Sequence, residues 1–163
     1  MKTKSFLKRL SEFGFKRVVL SLDTFIGIVV FFIVYISTKG VINETIGKEI
    51  LSIFIQVSAS LFAIVLAGLA IVTSFTDKEF VYAWKKIGEF DNMITLFQYN
   101  LFIPLLLLIL SILAKFIFYN SLFMILLIAF FSYMVFALID LVNFICRYGL
   151  QRGEFVKLWK ETK

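Results

Sequence analysis

MITLFQYNLFIPLLLLILSILAKFIFYNSLFMILLIAFFSYMVFALIDLVNFIC, residues 93–146, is the stretch on which the architecture turns. Two apolar runs, about 93–118 and 122–146, flank Tyr119, Asn120 and Ser121. Each run exceeds the roughly 20 residues an α-helix needs to cross a hydrocarbon core of about 30 Å. So short a connection forces the two helices into an antiparallel hairpin. Upstream the same signal recurs twice, at about 18–37 and 50–75.

Little is left for a soluble domain. Of the 163 residues 61% are hydrophobic and 21 are Phe, whereas soluble domains hold about 45–50% apolar residues. One core cannot hide that excess, so lipid must cover it. The expected fold class is all-α: a polytopic membrane protein forming one domain, an up-down bundle of four transmembrane helices. The first run is expected to be an uncleaved signal anchor. It contains Asp23 and ends in Val34, Tyr35, Ile36 and Ser37, without a small-residue cleavage site.

The basic residues orient the spans. Lys2, Lys4, Lys8, Arg9, Lys16 and Arg17 precede the first. Lys78, Lys85 and Lys86 join the second to the third, and Arg147, Arg152, Lys157, Lys160 and Lys163 follow the fourth. Only Lys39, Lys48 and Lys115 remain for the other side. Such a bias predicts both termini and the middle connection in the cytoplasm. The net charge of +6 is then read as contact with anionic lipid headgroups, not with nucleic acid.

The cytoplasmic segments, about 1–17, 76–92 and 147–163, are amphipathic as well as basic. Phe6, Leu10 and Phe13 fall at helical spacing, as do Phe80, Trp84 and Ile87, and Phe155 and Trp159. Thr76 and Glu79 have the spacing of a capping box that would start a short helix at Asp77. Basic amphipathic pieces of this kind lie in the headgroup layer or dock a cytosolic protein; Trp84, Lys85 and Lys86 are the candidate contacts for either.

No enzyme is expected. The chain has no His and a single Cys, Cys146, which excludes an intrachain disulfide and a Cys/His zinc site. Its eight Gly residues are scattered and form no phosphate loop, and no nucleophile, base or metal set is present. No cofactor is implied. Duplicated halves with interrupted helices, the mark of many secondary transporters, are also lacking.

Polar residues within the spans are therefore the best pointers to a site. Asp23 lies about 7–8 Å along its helix from the cytoplasmic start of the first span, and Asp140 roughly 9 Å from the cytoplasmic end of the fourth. Gln98, Asn100 and Asn143 occupy similar depth, as do Thr73 and Ser74, and Pro104 frees the carbonyl of Asn100 there. Two readings are open: these groups fasten helices together, or they line a wet vestibule that attracts cations or protons.

The second span carries a stripe. Gln56, Ser60, Ala63, Ala67, Ala70, Ser74 and Asp77 repeat every three or four residues, with Leu61, Val65, Leu69 and Val72 opposite. Small side chains let another helix approach closely in lipid. Stripes from several subunits would equally surround a narrow conduit. Four spans are few for a pore within one chain, so conduction requires a homo-oligomer.

Residues 60–70, Ser-Leu-Phe-Ala-Ile-Val-Leu-Ala-Gly-Leu-Ala, followed by the charged connection ending Lys85-Lys86-Ile87-Gly88, resemble a small family of four-span phage-exclusion membrane proteins, the RexB family. The resemblance implies an inner-membrane protein that lets ions leak when a cytosolic sensor detects infection, with residues 78–91 as the sensor's contact. The layout is also similar to the membrane subunit of Kiwa-type anti-phage defence. Asp77, Glu79, Glu89 and Asp91 depart from the RexB pattern. The expected function is thus a homo-oligomeric, ion-conducting or membrane-perturbing component of anti-phage defence. The alternatives are a non-conducting platform that recruits a cytosolic effector, and an accessory subunit of a transporter.

Overall fold

The computed structural model describes residues 22–74, 78–86 and 88–161. They form five helices: α1 (Leu22–Thr38), α2 (Glu44–Ser74), α3 (Lys78–Lys86), α4 (Glu89–Phe116) and α5 (Ser121–Glu161). The expected N-terminal amphipathic segment, the capping residue Thr76, Asp77 and Ile87 lie outside the described residues.

Local chemistry explains the boundaries. α1 closes in a Schellman turn: the Gly40 N–H donates to Tyr35 O at 3.0 Å and the Lys39 N–H to Ile36 O at 3.3 Å. Asn43 caps α2, its Oδ1 accepting the Thr45 N–H at 2.9 Å. Asn120 caps α5 in the same way, accepting from Leu122 at 2.8 Å and Phe123 at 3.3 Å. Gly88 separates α3 from α4 with φ 82°, a left-handed conformation that residues with a Cβ rarely adopt.

α2, α4 and the 121–153 part of α5 are long and apolar enough to cross a membrane; α1 is a shorter apolar helix of 17 residues. α5 runs unbroken for 41 residues, about 60 Å, so the expected tail from Arg147 onward is a continuation of the last span. Neighbours run antiparallel. Lys115 of α4 reaches Ser52 of α2 near one end, while Phe97 lies beside Gly68 toward the other.

The order across the layer is α1–α5–α4–α2. Among the described residues α2 packs along α4, α4 along α5 and α1 along α5, with a smaller contact between α2 and α5. The helices lie as a row in which packed neighbours alternate in direction. Two buried clusters hold it. Leu51, Phe54, Leu107, Ile125, Leu127 and Met134 belong to the one near the connections 39–43 and 117–120. Val65, Phe80, Trp84, Met93, Phe97 and Tyr148 belong to the other.

Candidate functional site

α2 divides into two sides. Leu51, Phe54, Ser58, Val65 and Val72 are buried, and Leu61 and Leu69 are half-buried. The stripe residues Gln56, Ser60, Ala63, Ala67, Ala70 and Ser74 are all exposed. Two hydroxyls on the stripe are satisfied within the helix, Ser60 donating to Gln56 O at 2.9 Å and Ser74 to Ala70 O at 2.7 Å. The result is a line of mostly small side chains whose two serine hydroxyls are already bonded, with exposed Ile64, Leu66 and Ile71 on the same open side of the helix. Among the described residues no helix of the same chain covers it. Asp77, the expected inner end of the line, is outside the described residues.

The polar layer is not brought together. Asp23 is buried on α1, within electrostatic reach of Tyr133 on α5. Asn100 is buried on α4, its Nδ2 donating to Leu96 O at 3.0 Å. Gln98 is half-buried, whereas Asp140 and Asn143 face outward on α5. Other polar groups are buried as well: Thr95 and Ser111 on α4 and Ser58 on α2. Thr95 donates to Asp91 O at 2.7 Å, while the Ser58 and Ser111 hydroxyls find no partner among the described residues. The recurrence of Asn100, Pro104, Leu107, Ser111 and Ala114 at three- and four-residue steps was the signal for this buried face of α4.

The α3 segment separates its expected contacts. Trp84 is only 7% exposed. Its ring meets Tyr148 at 4.8 Å and Phe80 at 5.1 Å, and Phe144 at 6.4 Å between centroids. Lys85 and Lys86 are exposed. The apolar side of α3 thus packs on its own bundle, where α4 and α5 offer an aromatic surface. Glu79, Tyr82, Lys85 and Lys86 are left on its exposed side.

At the other end, the two connections are clasped. The Tyr119 hydroxyl donates to Ile42 O at 3.0 Å, beside the ring's contact with Gly47. Burial and the negative charge of Glu44 raise the Tyr119 pKa above its ordinary 10.0, against a lowering by the Ser121 hydrogen bond. Lys115 Nζ donates to Ser52 Oγ at 2.8 Å, and Lys48 pairs with Glu44 at 2.6 Å. Among the described residues no three His, Cys, Asp or Glu side chains converge as a metal site would require.

Comparison with protein-family models, with curated proteins and with solved structures finds no match. The class rests on the architecture itself: all-helical in its described elements, with three helices of membrane-crossing length and apolarity, as in a helical membrane protein.

Proposed function

We propose that this chain is a four-span subunit of the bacterial cytoplasmic membrane, with both termini inside, that works as a homo-oligomer joined through the α2 stripe. The observation that carries this reading is the exposure of all six described stripe residues on a helix whose other side is taken up by α4. Small residues at helical spacing are what close approach between membrane helices requires. Assembled subunits would act as an ion-conducting or membrane-perturbing effector, and the resemblance to phage-exclusion proteins makes anti-phage defence its setting.

The test is reconstitution into vesicles with a potential-sensitive dye, alongside the mass of the detergent-extracted assembly. The expected result is an oligomer that dissipates an imposed ion gradient, with Ala67→Leu or Ala70→Phe abolishing both. A monomer, or a flat dye signal from an intact oligomer, removes the effector reading. The second reading, a platform for a cytosolic protein, draws on Lys85 and Lys86, which α3 presents while its Trp84 anchors it. Under that reading a Lys85→Glu, Lys86→Glu double variant keeps its oligomer and loses a co-purifying partner.

A further inference from the structure

We infer that the inner end of the helix row is a binding site for the phosphoethanolamine headgroup of a membrane lipid. A cavity of about 380 Å³ opens between α3, α4 and α5. Two helical faces converge on it: Glu89, Asn92 and Leu96 from α4, and Phe144, Arg147, Tyr148 and Gln151 from α5. Trp84 of α3 forms a further wall. The site is separate from the α2 stripe and does not depend on whether the chain assembles.

The lining selects the ligand. Glu89 and Arg147 share the cavity without forming an ion pair or a hydrogen bond with each other. A simple anion would answer Arg147 and leave Glu89 facing a second negative charge; a simple cation would do the reverse. A zwitterion with a phosphate at one end and an ammonium at the other answers both at once. The aromatic wall of Trp84, Phe144 and Tyr148 adds cation–π attraction for the ammonium. Asn92 and Gln151 supply amide donors and acceptors for the remaining phosphate and glycerol oxygens.

A primary ammonium fits better than a quaternary one. Glu89 is a hydrogen-bond acceptor, and only the primary group has N–H bonds to give it. Depth points the same way. The cavity lies where apolar α4 and α5 give way to the charged residues Glu89 and Arg147, with Leu96 and Phe144 on the apolar side. That is the level at which a headgroup sits while its acyl chains remain among apolar side chains.

The experiment is native mass spectrometry of the full chain extracted from nanodiscs with equal parts phosphatidylethanolamine, phosphatidylcholine and phosphatidylglycerol. The expected result is retention of phosphatidylethanolamine at least about tenfold above phosphatidylcholine, a factor within reach of one charged hydrogen bond. Glu89→Gln removes the negative charge that answers the ammonium and keeps the phosphate partner, so preference passes to phosphatidylglycerol. Arg147→Gln lowers retention of both, and Glu79→Gln, an exposed acid outside the cavity, changes neither. Equal thermal transitions for all variants show that folding is intact, and a Glu89→Asp variant, which restores the carboxylate, should recover the original preference if the Gln variant proves unstable. Equal retention of the three lipids by the wild-type chain overturns the proposal, as does an unchanged preference in a folded Glu89→Gln protein. Soluble phosphoethanolamine is the second arm: binding of it without retention of the lipid overturns the lipid source.

Discussion

Tyr119 shows how one side chain ties two connections distant in sequence. Its hydroxyl serves the carbonyls of Ile42 and Asn43, at 3.0 and 3.3 Å, and its ring lies where a Cβ on Gly47 would fall. Tyr119→Phe removes one of two donors at each carbonyl, Ser121 remaining on Ile42 O and the Gly47 N–H on Asn43 O, and is expected to cost about 1 kcal/mol, read from the thermal transition in detergent. Gly47→Ala should lower the same transition by displacing the ring. The pH dependence has a definite sign. The folded pKa of Tyr119 lies above the unfolded value of 10.0, so folding favours the protonated phenol. Its contribution is fully present below pH 10 and disappears as pH rises through the folded value. A transition that falls above about pH 10 in the wild type should fall less in Tyr119→Phe; equal curves would remove Tyr119 as the source. The polar gap 119–121 between apolar runs is local information legible in the sequence; the connection itself is 117–120, with Ser121 already in α5. The clasp is not legible there, because which loop lies beside which is decided by helix packing.

Among the elements, α3 and α5 show where hydropathy is informative and where it is blind. The spacing of Phe80 and Trp84 marked an amphipathic helix correctly, but an apolar face does not name its cover. α5 supplies that cover through Phe144, near the end of the last apolar run, and Tyr148, just beyond it. The onset of charge at Arg147 does not end the helix, which runs on through Arg147–Gly153. Trp84→Ala should therefore release α3, at about 3 kcal/mol for loss of a nearly buried ring. Limited proteolysis of the 75–88 connection would report this as faster cleavage, while Lys86→Ala, an exposed change, leaves the rate as it was. Equal rates for the two variants would mean that α3 is held by something other than this aromatic cluster.

For the molecule as a whole, the row α1–α5–α4–α2 leaves α2 at an edge with its small-residue side uncovered. The periodicity of Gln56, Ser60, Ala63, Ala67, Ala70 and Ser74 was legible in the sequence. What no pattern within α2 states is whether α1, α4 or α5 fills that side, because all three carry long apolar runs. The vestibule reading of Asp23, Asn100, Asp140 and Asn143 had the same weakness: shared depth says nothing about shared direction, and Asp140 and Asn143 point away from buried Asn100. Self-association through the stripe predicts a periodic cross-linking pattern. In a Cys146→Ser background, which removes the exposed native thiol, single cysteines replace residues along α2. Oxidation in native membranes should yield disulfide-linked dimers for Ala63→Cys, Ala67→Cys and Ala70→Cys, because only a close helix pair brings Cα atoms within about 7 Å. Val65→Cys and Val72→Cys, which face α4, should remain monomeric. Dimers at every position would mean random collision in the bilayer, and dimers at none would leave the α2 edge facing lipid alone.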